Sequence, residues 1–166
     1  MTIGYAAANY VNMQNFNDNK LEIEQLLHDS NKDDKNNVLL VTYTADLKKD
    51  LDEILSDMID TDSYDIYIAS KDTFKSYKDK SVFADVDSYT DLTKKDYKTL
   101  KDSKGKVYAV SIEGNTFIKH FGFVNTQDLY IAAAEKTKKQ DELPTRKKNG
   151  RNITKYIIEN SDLYSR

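Results

Sequence analysis

The residues of this chain that could do chemistry are few, and they form no catalytic or metal-binding pattern. The two histidines, His28 and His120, have no metal-ligand spacing with each other or with a pair of carboxylates. There is no cysteine, which excludes disulfides, thiol nucleophiles and iron–sulfur clusters. No glycine-rich nucleotide-binding motif and no serine-hydrolase motif occurs. We therefore predict a protein that is not an enzyme and that uses no metal and no other cofactor.

Two acidic stretches were candidates for a functional carboxylate. The phrase DVDSYTD at 85–91 has alternate carboxylates but lacks the glycine and the terminal glutamate of a calcium-binding loop, so it is interpreted as an exposed turn. In the stretch DSYDIYIAS at 62–70, Asp65 stands among aromatic and apolar residues. A carboxylate at the start of a buried strand more often caps or pairs there than binds a ligand, so a structural role is favoured for Asp65.

Polar and aromatic side chains follow three of the strands that the sequence predicts. A sheet of parallel strands covered by helices binds its ligands at the carboxyl ends of the strands. A tyrosine ring there can stack on a sugar, and amide or carboxylate groups can hydrogen-bond its hydroxyls. The alternative is that these residues only shape the turns. The candidate ligand-binding residues are Asn9 and Tyr10 after the first strand, Ser70, Lys71 and Asp72 after the third, and Glu113 and Asn115 after the fourth.

The elements that would position these residues alternate between strand and helix. Apolar and β-branched runs predict strands at 3–8, 38–44, 64–69, 106–112 and 129–134. Apolar residues at helical spacing predict helices at 16–29, at 46–59, at 72–79 and from 153 to 163, with the first capped by the residues at 17–19 and the second by Asp46. The uncharged run at 38–44 suggests a strand covered on both faces. We expect helix or turn at 91–103 and a solvated loop at 135–152.

This alternation predicts one α/β domain over 1–166. We expect a mainly parallel five-stranded sheet, with right-handed crossovers that place helices on both faces. Charged residues make up 32% of the chain and aromatic residues 11%, which fits a charged surface over a real core. The net charge is -3, and the basic residues form no block, so nucleic-acid binding is not expected.

Three phrases in chain order carry a resemblance to a known family. They are Tyr64-Asp65-Ile66, Val86-Asp87-Ser88-Tyr89, and Gly105-Lys106-Val107-Tyr108-Ala109-Val110-Ser111. In this order the phrases resemble the first lobe of the extracellular solute-binding proteins of bacterial ABC transporters, in particular the sugar-binding branch. The family has a proline where Ser111 stands. The later segment DLYIAAAEKTKKQDE at 128–142 resembles the strand by which the family's chain returns to the first lobe.

The resemblance implies a single lobe of the type II periplasmic-binding-protein fold, a module that binds a small solute such as a sugar. Only residues 113–128 stand where the family builds its entire second lobe. Capture of a solute by closure of two lobes is therefore in question. The alternative is an interaction protein without a transport role, which contacts a partner protein or forms a homodimer.

The resemblance also implies an ABC permease as a partner and a lipoprotein held outside the cell. No apolar run in the sequence is long enough to span a membrane. The first ten residues, MTIGYAAANY, lack the charged and apolar regions of a signal peptide. We therefore expect either an extracellular protein, membrane-anchored in a full-length form whose signal segment was removed here, or a cytoplasmic protein.

Overall fold

A single open sheet of six strands lies at the centre of the computed structural model, which describes residues 1–7, 11–31, 38–42, 50–135 and 144–164. The strands are β1 (Thr2–Ala6), β2 (Leu39–Thr42), β3 (Ile66–Ser70), β4 (Thr99–Lys101), β5 (Val107–Ser111) and β6 (Leu129–Ala133). The helices are α1 (Met13–Asn31), α2 (Leu51–Thr61), α3 (Lys71–Ser76), α4 (Thr116–His120) and α5 (Pro144–Glu159).

The sheet is mixed, so the prediction of a mainly parallel five-stranded sheet is only partly right. The strand order is β2-β1-β3-β6-β5-β4. β1 pairs in parallel with β2 and β3, whereas β6 is antiparallel to β3 and β5, and β4 is antiparallel to β5. The strand that the sequence did not predict is β4, which lies in the stretch expected to be helix or turn.

The connection between β5 and β6 explains why β6 runs antiparallel. A parallel neighbour would need a crossover that carries the chain back along the whole length of the strand. The only helix in this connection, α4, has five residues and rises about 7.5 Å. The five residues of β5 span about 17 Å. The chain therefore re-enters the sheet at the edge where it left, and β6 runs back against β5.

Helices cover both faces of the sheet, as predicted. Ile66 and Ile68 of β3 belong to the core that includes apolar residues of α1, α4 and α5. Tyr67 and Ala69 of the same strand belong to the core that includes α2 and α3. Successive strand residues point to opposite faces, and this alternation fills both cores from one short aromatic strand.

Asp65 has the structural role that the sequence favoured. It is fully buried just before β3, and its Oδ2 accepts a hydrogen bond from the backbone N–H of Thr2 at 2.8 Å. The backbone N–H of Asp65 donates to the carbonyl of Thr2, and its carbonyl accepts from Ala134. Asp65 thus ties the starts of β1 and β3 together, at the end of β3 that lies away from the predicted binding edge.

Two helices begin earlier than the sequence predicted. α1 begins at Met13, and Asn12 precedes it with its Oδ1 accepting from the N–H of Asn15 at 3.1 Å, so the predicted cap at 17–19 lies inside the helix. α5 begins at Pro144, so the predicted loop at 135–152 is wrong for its residues 144–152. The short helix α4 was not predicted.

The helix α2 confirms the apolar stripe that predicted it. Ile54, Leu55, Met58 and Ile59 are all buried, and Asp50 caps the first turn. The predicted cap Asp46 lies outside the described residues. β2 is the edge strand of the sheet, and its two faces are partly covered: Leu40 packs against one core and Val41 against the other, and both are half-buried. Among the helices in the described ranges, none combines the length and the apolar character needed to cross a bilayer.

Candidate ligand-binding cleft

The predicted ligand residues that the structure describes lie at one end of the strands, which we call the carboxyl edge of the sheet. β1, β3 and β5 point the same way, so their carboxyl ends meet there, together with the amino ends of β4 and β6. Ser70 is the last residue of β3, Lys71 and Asp72 follow it, and Glu113 and Asn115 follow β5. β6 lies between these two groups, which separates their strands by about 10 Å. The remaining candidates, at positions 9 and 10, fall outside the described residues.

The group after β3 forms the first turn of α3. Ser70 caps the helix, since its Oγ accepts from the N–H of Thr73 at 3.4 Å and also donates to the Thr73 hydroxyl at 3.0 Å. The N–H of Lys71 donates to the carbonyl of Asp128 at 3.2 Å. Asp72 is exposed in the same turn. These residues therefore shape the turn and join β3 to the start of β6.

The group after β5 includes a buried amide that holds two helices together. Asn115 is 3% exposed, its Oδ1 accepts from the N–H of Ile118 at 2.9 Å, and its Nδ2 donates to the carbonyl of Ile157 at 3.0 Å. The first bond caps α4, and the second joins α4 to α5. Asn115 thus fixes α4 against α5 next to the carboxyl end of β5, and Glu113, two residues earlier, is exposed.

A cleft of about 270 Å³ opens at this end of β5. Three parts of the chain line it: the loop that leads into β4, the end of β5 with the following turn, and the end of α5 with the turn after it. The lining residues are Lys95, Asp96, Tyr97, Lys98, Ser111, Glu113, Asn115, Ile158 and Ser161. Two of the predicted residues, Glu113 and Asn115, are among them.

Hydrogen bonds between separate elements hold the far wall of the cleft in place. Thr116, the first residue of α4, donates to the carbonyl of Ser161 both from its N–H at 2.8 Å and from its hydroxyl at 3.0 Å. The N–H of Gly114 donates to the hydroxyl of Thr126 at 2.9 Å. Gly114 has a φ of 73°, a conformation that glycine adopts without strain. The turn after β5 is therefore fixed before any ligand enters.

The charges in the cleft are balanced and only loosely paired. Lys98 Nζ lies 3.6 Å from Glu113 Oε2, and both side chains are exposed. Lys95 Nζ lies 3.8 Å from the carboxylate of Asp162 and donates to the hydroxyl of Ser161 at 3.1 Å. Exposed ion pairs of this kind contribute about 0–1 kcal/mol. A ligand can therefore exchange with these partners at little energetic cost.

Tyr97 is the one aromatic side chain among the described residues that line the cleft, and it is half-buried. Burial, followed by the negative charges of Glu159, Asp91 and Asp162, raises the pKa of the Tyr97 phenol. The hydroxyl is therefore protonated at neutral pH and available as a hydrogen-bond donor. Tyr97 thus lines the cleft with an aromatic side chain that also packs against the core.

Tyr97, Lys98 and Ser161 were not among the predicted ligand-binding residues. The sequence did not predict the strand β4, and it did not indicate that the end of α5 packs beside the carboxyl end of β5. A usable signal was present for β4. The turn residues Asp102-Ser103-Lys104-Gly105 lead directly into β5. A short polar turn that contains glycine and is followed by a strand is typical of a hairpin, and it indicates a strand before the turn.

His120 is not among the residues that line the cleft. His120 Nε2 lies 2.8 Å from Glu22 Oε1, and its ring stacks on Tyr164 at a centroid distance of 3.9 Å. His28 lies in the last turns of α1, near its carboxyl end as expected. Within the described ranges, no three His, Asp or Glu side chains converge as a metal site would require.

No protein-family model matches the chain, and neither a curated protein nor a solved structure is detectably similar to it. The cleft and its residues are thus the basis for a functional assignment.

Proposed function

We propose that this chain is a non-catalytic binding module that holds a small polar solute, such as a sugar, in the cleft at the carboxyl end of β5. The observation that carries the proposal is the half-buried ring of Tyr97 beside the polar side chains of Lys98, Ser111 and Glu113. A sugar has apolar faces that stack on an aromatic ring and hydroxyls that both donate and accept hydrogen bonds. The residues of the cleft match both requirements.

The size of the cleft favours a small ligand that binds weakly. Pockets for drug-sized ligands usually have volumes of about 300–1,000 Å³ and bury most of the ligand. A cleft of about 270 Å³ that is open to solvent lies below this range. We expect a dissociation constant on the order of 1 mM, which corresponds to a binding free energy of about −4 kcal/mol.

The proposal includes a relationship to the first lobe of the solute-binding proteins of ABC transporters. Two features support it. β6 re-enters the sheet between β3 and β5, which fits the interpretation of 128–142 as the return strand. The short connector that holds α4 stands where the family builds its second lobe. A location outside the cell, a membrane anchor and an ABC permease as partner belong to the same proposal and rest on the sequence resemblance alone.

Thermal unfolding with a panel of sugars and short peptides tests the proposal. A ligand at 100 times its dissociation constant stabilises the folded state by about 2.7 kcal/mol. For a domain of this size, that raises Tm by about 5–11 °C. Sugars at such concentrations also stabilise proteins nonspecifically, because they are excluded from the surface. The informative quantity is therefore the difference in Tm between isomeric sugars at equal concentration.

Two variants of Tyr97 make the test specific to the cleft. Tyr97→Phe keeps the ring and should retain most of the sugar-dependent shift, whereas Tyr97→Ala removes the stacking surface and should abolish it. If no member of the panel stabilises the protein, and sedimentation shows a concentration-dependent dimer, the solute-binding proposal is wrong. That result would favour the interaction protein without a transport role.

A further inference from the structure

A second exposed surface, the outer edge of β4, is separate from the bottom of the cleft. β4 is the last strand of the sheet, and none of the described residues pairs with its outer side. The carbonyl of Lys98 accepts from Ser111, and the N–H of Asp102 donates to Lys106. Backbone groups alternate in direction along an antiparallel strand. The N–H and C=O groups of Thr99 and Lys101 therefore point away from β5.

Exposed lysines flank these outward-facing backbone groups. Lys98, Lys101 and Lys104 are all exposed. Lys98 has one loose partner, Glu113 at 3.6 Å, and no carboxylate in the described ranges lies within ion-pair distance of Lys101 or Lys104. The nearby carboxylate of Asp102 is occupied, since its Oδ1 accepts from the N–H of Lys104 at 2.9 Å and from a second N–H of the same turn. Asp102 and Glu113 keep their negative charges, so the three lysines outnumber the two carboxylates by one and the edge is weakly positive.

This charge selects among the chains that could add to the edge. If β4 of a second copy paired with it in antiparallel fashion with Lys101 opposite Lys101, Lys98 of each copy would also face Lys104 of the other, and like charges on paired strands are destabilising. Lysines on an edge strand are a known device against such self-association. An extended segment with alternate carboxylates has the opposite charge and can satisfy both the backbone groups and the ammonium groups.

We propose that the outer edge of β4 binds an extended acidic peptide segment, which adds to the sheet as a further strand. The N–H and C=O groups of Thr99 and Lys101 pair with the backbone of the segment. Carboxylates of the segment lie beside Lys98, Lys101 and Lys104. Backbone pairing supplies the geometry of such a complex, and the lysines supply the preference for acidic sequences.

A labelled peptide of eight residues with alternating glutamate and threonine is the probe, with a lysine–threonine peptide of equal length as its control. Fluorescence anisotropy should show saturable binding of the acidic peptide, weakened by salt, and no binding of the lysine peptide. The double variant Lys101→Glu/Lys104→Glu should lower the affinity at least tenfold. Both lysines lie outside the cleft, so the sugar response of this variant should be unchanged.

The variant Thr99→Pro separates strand addition from simple charge attraction. The N–H of Thr99 faces outward, so proline removes a group that β5 does not use, and edge strands tolerate it. Affinity for the acidic peptide should fall at least tenfold while Tm is retained. If Thr99→Pro does not fold, an acidic peptide N-methylated at alternate residues replaces it, and the wild-type protein should not bind that peptide.

Three results would overturn the proposal. The first is the absence of binding to the acidic peptide, in which case the lysines only prevent aggregation. The second is equal binding of the lysine peptide. The third is unchanged binding by Thr99→Pro, or of the N-methylated peptide, which would indicate diffuse attraction to the surface without strand addition.

Discussion

The close contact between α5 and β3 gives a prediction in which two physical effects have opposite signs. Gly150 lies in α5 against the backbone of Asp65. A Cβ added at Gly150 would lie 2.6 Å from the carbonyl oxygen of Asp65 and 3.2 Å from its carbonyl carbon and its Cβ. That carbonyl also accepts a hydrogen bond from Ala134 at 3.0 Å, so β6 holds it in place. The clash is with fixed backbone, and no side-chain rotation relieves it.

The expected magnitude for Gly150→Ala follows from these two effects. Helix propensity alone stabilises the alanine variant by about 1 kcal/mol. Ordinary van der Waals contact begins at 3.4 Å, so α5 and β3 must separate by about 0.8 Å, and overpacking of this kind costs roughly 1–3 kcal/mol. Because both partners are backbone, we take the upper end of that range. The variant should lose about 2 kcal/mol of stability and about 4–8 °C in Tm.

Urea unfolding followed by circular dichroism measures this difference directly. Lys155→Ala, an exposed substitution in the same helix, is the control and should change stability by less than about 0.5 kcal/mol. The urea m-value should be the same in all three proteins, so that the midpoint alone reports stability. If Gly150→Ala were as stable as the wild type or more so, the gain in helix propensity would be at least as large as the cost of the clash with Asp65. The close approach of α5 to β3 would then be refuted.

Three further predictions concern other local contacts. Lys80→Met should cost about 1–3 kcal/mol in thermal unfolding, because the Lys80 ammonium donates to three carbonyl oxygens at the end of α3; an unchanged Tm would contradict this. Burial raises the pKa of Glu22, but hydrogen bonds from Tyr164 and His120 outweigh it and lower that pKa, and the bond to Glu22 raises the pKa of Tyr164 to about 12. The lowered pKa of Glu22 therefore contributes to the free energy of unfolding at neutral pH, and this contribution is lost as the pH falls below about 4.5. The raised pKa of Tyr164 contributes to the free energy of unfolding below pH 10, and this contribution is lost as the pH rises towards 12. Tyr164→Phe should flatten both limbs of the stability profile, and an unaltered profile would count against the contact. Gly122→Ala should destabilise clearly more than Gly114→Ala, because both positions have positive φ but only the Cβ at Gly122 meets a backbone oxygen, at 2.3 Å; equal losses, each of about 1–2 kcal/mol, would show that φ strain acts alone.

The sequence predicted those elements whose own residues supply a complete buried face. The apolar stripe of α2 and the apolar run of β3 are both such patterns, and both were confirmed. β4 has only one buried residue, Leu100, so its stability comes from pairing with β5 and not from its own composition. Asn149 and Gly150 are buried in the first half of α5. Neither residue is apolar and large, so the sequence around them does not show the apolar spacing that predicts a buried helix face.

The direction of β6 could not be predicted from its residues. Leu129–Ala133 is buried throughout, and a strand covered on both faces looks the same in either direction. Its orientation depends on the short connector at 113–128, in which no helix was predicted.

The candidate site was predicted in part. The rule that ligands bind at the carboxyl ends of strands placed Glu113 at the edge where the cleft opens. Tyr97 and Ser161 reach the cleft through contacts between distant parts of the chain. No local pattern in the sequence reports those contacts, so the aromatic residue of the cleft was not among the predicted ones.

Amide chemical-shift mapping during titration with a sugar panel tests the central claim most directly. If the cleft binds the solute, saturable shifts should appear at Tyr97, Ser111, Glu113 and Ser161 for at least one sugar, and Tyr97→Ala should abolish them. Shifts that are absent for every sugar, or that cluster at another surface and survive in Tyr97→Ala, would contradict the assignment of this cleft as a binding site.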